Sequence, residues 1–136
     1  MRLLILSCSA GKRGHAEPIP ALDRYDGSLW RVLRSYLHEQ PIVAADLHVY
    51  GFSAEFGLIP GDQRIPHYDR TMDSEQADAL RPHVREAFAT LIGQGYAQIC
   101  LGVSDRYLRA MDGWEVLVPV DVDVRVTDGT MGMKLG

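Results

Sequence analysis

Arg2-Leu3-Leu4-Ile5-Leu6-Ser7-Cys8-Ser9-Ala10-Gly11-Lys12-Arg13-Gly14 joins an unbroken apolar run to a small, polar, glycine-containing loop. An apolar run without alternation describes a strand covered on both faces, as in a parallel sheet packed between helices. Open α/β sheets take their ligands beyond the carboxyl ends of such strands. The hydroxyls of Ser7 and Ser9, the backbone N–H groups and the cations Lys12 and Arg13 suit this loop to phosphate. Its spacing matches neither the P-loop nor the dinucleotide-binding GxGxxG pattern, so phosphate contact and an ordinary solvated strand-to-helix loop both stay open.

The same design recurs downstream. Ala45–Ser53 reads as a second strand that empties into Ser53-Ala54-Glu55-Phe56-Gly57-Leu58-Ile59-Pro60-Gly61, and Tyr96–Val103 as a third that leaves through Gly102, Ser104 and Asp105 into a short helix with Tyr107, Leu108 and Met111. Between them, Leu29, Val32, Leu33, Tyr36 and Leu37 predict a helix capped by Asp26 or Ser28 and ending near Gln40-Pro41, with Trp30 and Tyr36 as packing residues. Ala77, Leu80, Val84, Phe88 and Leu91 predict another, capped by Asp73 and ended by Gly93 and Gly95. Pro82 calls for a kink in it, or for a second helix starting at about Arg81. Glu115–Val118 reads as a fourth strand, and Val120–Val126 alternates valine with Asp121, Asp123 and Arg125 like a strand with one solvated face. His15–Asp26, broken by Pro18 and Pro20, is expected without regular structure, and Ile65–Met72 is expected as a loop dense in functional side chains.

These elements predict one α/β domain over residues 1–136, a three-layer α/β/α arrangement with a mainly parallel sheet of about four or five strands. The tail from about residue 128 is flexible by composition. Right-handed crossovers put all three polar loops on one edge of the sheet.

The bulk properties narrow the function. At 136 residues, 46% apolar and 24% charged, the chain has the balance of a soluble globular domain. A net charge of −4 argues against coating nucleic acid by bulk electrostatics. Lys12, Arg13, Arg24, Arg31 and Arg34 are the candidates for a local basic cleft. Cys8 and Cys100 form no disulfide framework or CxxC motif, which fits a reduced setting. With no signal-peptide run and no membrane-length segment, a cytoplasmic protein without a membrane partner is expected.

Converging strand ends would gather Ser7, Ser9, Lys12, Glu55, Tyr68, Asp69, Ser104, Asp105 and Tyr107. No GxSxG elbow supports a serine hydrolase, no His/Cys ligand spacing supports a metal, and nothing calls for a cofactor. The set suits cleavage or substitution at a glycosidic carbon, where one carboxylate activates water or stabilises an oxocarbenium-like centre. Asp69 and Glu55 are the candidate carboxylates; caps and ion pairs use the same residues.

The ordered series Leu4-Ile5-Leu6-Ser7-Cys8-Ser9, Lys12, Pro20–Trp30, Phe52–Ile59 and Pro66-His67-Tyr68-Asp69-Arg70-Thr71-Met72 resembles the small DUF6884 proteins, distant relatives of the YaaA (DUF328) group. The likeness covers roughly the first half of the chain; the second half matches through Gly102-Val103-Ser104 and the glycine-rich 129–136 tail. The resemblance implies a fold akin to uracil-DNA glycosylases and an association with nucleic acid or modified nucleobases, in relatives linked to DNA damage, peroxide stress and deazaguanine handling. It implies a site lined by Ser7, Cys8, Ser9, Lys12, Tyr25, Gly27, Ser53, Glu55, Tyr68 and Asp69. The water-activating GQDPYH motif of uracil-DNA glycosylases has no counterpart here, and their C-terminal leucine-flanked histidine is absent.

The first expectation is therefore an enzyme acting on a nucleobase, nucleoside or nucleotide, as an N-glycosidic hydrolase or base transferase. In it Ser7, Ser9 and Lys12 hold phosphate or sugar, Tyr25 or Tyr68 stacks or hydrogen-bonds, and Asp69 or Glu55 is the carboxylate. The second is a non-catalytic nucleic-acid-binding stress protein that grips phosphates through its arginine-bearing first helix. A protein-interaction module with merely wet loops is the third.

Overall fold

The computed structural model describes residues 1–8, 18–68 and 70–127. In chain order its strands are β1 (Arg2–Ser7), β2 (Ile19–Pro20), β3 (Leu47–Ser53), β4 (Gly57–Pro60), β5 (Arg64–Ile65), β6 (Gln98–Gly102) and β7 (Asp123–Thr127). Its helices are α1 (Ala21–Arg24), α2 (Ser28–Glu39), α3 (Pro41–Ala45), α4 (Ser74–Ile92) and α5 (Asp105–Leu108). The main sheet has five strands in the order β4-β3-β1-β6-β7, with β1 at its centre. Strands β3, β1, β6 and β7 run parallel, and only β4 is antiparallel. β2 and β5 form a separate two-stranded ribbon. No helix among the described residues is long and apolar enough to cross a membrane.

The unbroken apolar run of β1 has a direct packing cause. Leu3, Leu4, Ile5 and Leu6 are all fully buried, but successive side chains enter different clusters because a strand alternates its faces. Leu3 and Ile5 join Ile99, Leu101 and the Ala77, Val84, Phe88 and Leu91 stripe of α4. Leu4 and Leu6 join Ala21, Tyr25, Trp30, Leu33, Ile59 and Ile65.

Asp73 caps α4 as its position predicts, accepting the Gln76 N–H at 2.8 Å. Asp73→Ala should lower stability by about 1 kcal/mol in denaturant unfolding, because one helix-end N–H loses its partner.

Several elements depart from their sequence patterns. α4 runs through Pro82 as one helix rather than restarting near Arg81. Its apolar stripe is packed on both sides of the proline, at Ala77 and at Val84 and Phe88. The cap of α2 is Gly27, with no side-chain cap bond; Asp26 instead holds Arg31 and Arg34. α2 does end where expected, at Glu39 with Gln40 as its C-cap, and Pro41 opens a separate short helix, α3, at a position where a missing N–H costs little. The loop expected after Ser53 is a hairpin whose return strand is β4, entered through Gly57 at φ 74. Pro20, expected to forbid regular structure, sits in the β2–β5 ribbon, at the end of a sheet where no inward N–H is required of it. Glu115–Val118 is not a strand: Trp114–Leu117 is a tight helical turn entered through Gly113 at φ 86. The place beside β6 belongs to β7, which begins at Asp123 rather than Val120. The expected tail from residue 128 lies outside the described residues.

Candidate functional site

Because β1, β3 and β6 are parallel neighbours, their carboxyl ends meet at one sheet edge, which brings together residues that the chain keeps far apart. Cys8 leaves β1 with its N–H donated to Phe52 O at 2.9 Å, which ties it to β3. On the other side, Ser7 Oγ donates to Gly102 O at 3.5 Å and accepts the Ser104 N–H at 3.4 Å. Trp30 Nε1–H donates to Ser7 O at 3.1 Å from α2. Tyr107, on α5 after β6, sets its ring edge-on to Phe52 with centroids 5.2 Å apart.

Behind this edge lies a chain of hydroxyls. Ser53 is fully buried, and its Oγ accepts N–H bonds from Glu55 and Phe56, each at 3.0 Å. Its own proton is therefore free for Tyr68 Oη, to which it donates at 2.9 Å. Tyr68 Oη lies 2.6 Å from Tyr25 Oη, and the Cys8 side chain is near enough to act on the titration of both hydroxyls. Tyr25 is completely buried against Trp30, and the ring of Tyr68 meets the Tyr25 and Phe56 rings near a right angle.

Burial sets the protonation of these groups. It pushes Tyr25 and Tyr68 far above the ordinary tyrosine value, aided by the charge that Cys8 carries when ionised. At Tyr68 the Ser53 hydrogen bond pulls the other way without reversing the shift. Tyr107 is pushed up to about 12, by burial first and by Cys8 second. All three hydroxyls thus keep their protons at neutral pH and can donate hydrogen bonds.

The turn that presents Ser53 also presents Glu55. That carboxylate is exposed and pairs with Arg70 at 3.3 Å. Arg70 also donates to Gln76 Oε1 at 2.7 Å, and Gln76 Nε2 donates to Ala54 O at 2.7 Å, which ties the turn to the first turn of α4. Comparison with protein-family models and with curated proteins gives no match. The chemistry available follows from the groups themselves: neutral hydroxyl donors, a thiol, aromatic rings and a held carboxylate.

Of the residues singled out in the sequence, Ser7, Cys8, Tyr25, Ser53, Tyr68, Ser104 and Tyr107 come together here, with Glu55 on the adjoining turn. Gly27 stands apart in role, as the residue through which the chain enters α2. Ser9, Lys12 and Asp69 lie outside the described residues, as does His15. Among the described residues no group of three His, Cys, Asp or Glu side chains could hold a metal ion.

Of the described arginines expected to form a basic cleft, Arg31 and Arg34 line an open surface pocket with Asp26, Ser35 and His38, where Asp26 offsets their charge, and Arg24 is withdrawn into the core. Arg24 is fully buried and donates to Ile65 O at 3.2 Å, while Arg34 is mostly buried and donates to Leu22 O and Tyr25 O. Arg31 and Arg34 also hold Asp26 between them. A guanidinium has enough donors to tie several carbonyls at once, which a residue count along the sequence does not reveal. Sequence reasoning also missed Phe52, Phe56, Arg70 and Gln76 as parts of the site. The one signal for the phenylalanines is that each lies within three residues of Ser53.

Proposed function

We propose that the chain is an enzyme acting on a nucleobase, nucleoside or nucleotide, at its N-glycosidic carbon, as a hydrolase or base transferase. The observation that carries the reading is the Ser53–Tyr68–Tyr25 hydroxyl chain beside aromatic rings, with Glu55 on the same turn. Aromatic faces hold a flat base, and neutral hydroxyls give it directional donors.

In the hydrolytic form, water adds to the anomeric carbon as the carbon–nitrogen bond breaks. The bond's electron pair leaves with the base, and the attacking water gives up its proton to a carboxylate, which returns it to the departing base so that one water is consumed in all. Glu55 or Asp69 takes that proton or faces the oxocarbenium-like carbon. Tyr68 donates toward the leaving base, and Tyr25, being fully buried, acts through Tyr68. Ser7, Cys8 and Ser104 form the floor where β1 meets β6; Tyr107 is a wall, and Ser9 and Lys12 are assigned to phosphate or sugar. The DUF6884 resemblance, a three-layer uracil-DNA glycosylase-like arrangement, a reduced cytoplasmic setting and a nucleic-acid or nucleotide partner belong to the same proposal.

The test is incubation of the protein with nucleosides, nucleotides and single- and double-stranded DNA bearing normal and modified bases, with released base read by mass spectrometry. Release is expected, and Asp69→Asn or Glu55→Gln should slow it by about a hundredfold or more while the fold stays intact. Absence of release from every member, together with DNA binding that weakens steeply with salt, would replace this reading with the non-catalytic one.

A further inference from the structure

We propose that two joined cavities at the amino end of β3, away from the Ser53 edge, bind a linear aliphatic polyamine. β4 pairs with β3 only as far back as Tyr50, which lies opposite Pro60, whereas β3 begins at Leu47. β4 thus stops short of the first three residues of β3. A cavity of about 430 Å³ opens beside them, with Leu22, Leu37, Leu47 and Val49 as apolar walls and Asp62 in its lining. A second, of about 400 Å³, lies between β4 and α4, walled by Leu58, Ala87 and Leu91 and carrying Glu86. Tyr50, Pro60 and Gln94 line both, so the two meet there. Each volume is within the range of small-molecule sites.

The charges describe the occupant. Ion pairs among the described residues engage Asp26, Asp46, Glu55, Asp78 and Asp123, and neither Asp62 nor Glu86 takes part in one. No lysine or arginine lines either cavity. Each cavity therefore presents one carboxylate that has no cation among the described residues. Between the two carboxylates lie Tyr50 and Pro60, apolar surfaces on which methylene groups pack, and the phenol face also attracts a cation. A chain with an ammonium at each end and methylenes between them answers both carboxylates at once. A single ammonium would leave one of them unanswered.

Hydrogen bonding within the walls adds acceptors to the same site. Tyr96 is buried and donates to Gln94 Oε1 at 3.2 Å, which holds Gln94 at the junction of the cavities. Tyr96 Oη also lies 2.6 Å from His48 Nδ1. With its one proton given to Gln94, the hydroxyl accepts from Nδ1–H, and His48 Nε2 is left as a neutral acceptor. Thr90 gives its own proton to Glu86 O at 3.1 Å and keeps its lone pairs. His48 lines the first cavity and Thr90 the second, so each adds an acceptor to a carboxylate, the complement of a ligand whose polar groups are donors.

Titration of the full chain with spermidine, followed by amide chemical shifts, tests this, with butylamine as the single-ammonium comparison. Spermidine should saturably shift the amides of residues 47–50 and of the end of α4, and should bind about threefold or more tighter than butylamine. Asp62→Asn and Glu86→Gln should each weaken spermidine by about two- to fivefold and narrow its advantage. Asp121→Asn, an exposed acid beside β7 at the far edge of the sheet, should change neither affinity. All three side chains are exposed, so the variants keep the fold. Absence of a saturable shift, shifts spread over the acidic surface, or spermidine binding that survives the combined Asp62→Asn and Glu86→Gln variant overturns the proposal. Equal affinity for the two amines overturns it as well, because the second carboxylate then plays no part.

Discussion

Trp30→Ala should lower the unfolding free energy by about 3–5 kcal/mol, the cost of emptying a large aromatic site in a packed core. Trp30 is 1% exposed and lies against Tyr25, with ring centroids 5.1 Å apart. Its Nε1–H also supplies the Ser7 carbonyl at the end of β1, so the substitution leaves that acceptor without its indole donor. Trp30→Phe, which keeps most of the volume and drops the donor, should cost less than the alanine. Denaturant midpoints for the two variants separate packing from hydrogen bonding. Equal losses would mean that the bond to Ser7 dominates. Gly51 also lies against the indole, where a Cβ would come 3.4 Å from the ring, so part of the wall is β3 backbone held between β1 and β4, which cannot move in to fill the space.

A second large effect lies at alkaline pH. Tyr25, Tyr68 and Tyr107 have folded values raised above the ordinary 10.0 of the unfolded chain. Below that value both states hold the phenolic protons and stability is unaffected. Above it the unfolded chain releases protons that the folded chain retains, so stability falls as pH rises, and it keeps falling through the folded values, Tyr107 at about 12 and the others beyond. The tyrosinate absorbance of Tyr25, Tyr68 and Tyr107 should therefore form a late part of the titration that coincides with loss of circular dichroism. Tyr68→Phe should shrink the later part. Titration of all tyrosines together near the ordinary value, with the fold intact, would show the hydroxyl chain to be open to water.

Local sequence sufficed where a short-range rule decides the outcome. The unbroken Leu3–Leu6 run requires cover on both faces and so marks β1 as an interior strand. Asp73 ahead of a helical stripe is a cap because its carboxylate reaches an N–H only three residues on. Strands leaving through polar residues, joined by helices, predict a shared edge, and Ser7, Cys8 and Ser104 meet there. Glu115–Val118 misled because a valine-rich segment reads as strand until another strand takes the place beside β6.

Tertiary structure alone decided which hydroxyls touch. Tyr25 and Tyr68 are 43 residues apart in sequence, and nothing in either neighbourhood specifies the other. Ser53 reaches Tyr68 only because the β3–β4 hairpin uses its two acceptor positions on Glu55 and Phe56 and leaves its proton pointing at the phenol. Arg24 and Arg34 became internal ties for the same reason. Propensity and periodicity act over a few residues, whereas the partner of a buried polar group is whichever group the packing of distant elements brings within hydrogen-bond reach.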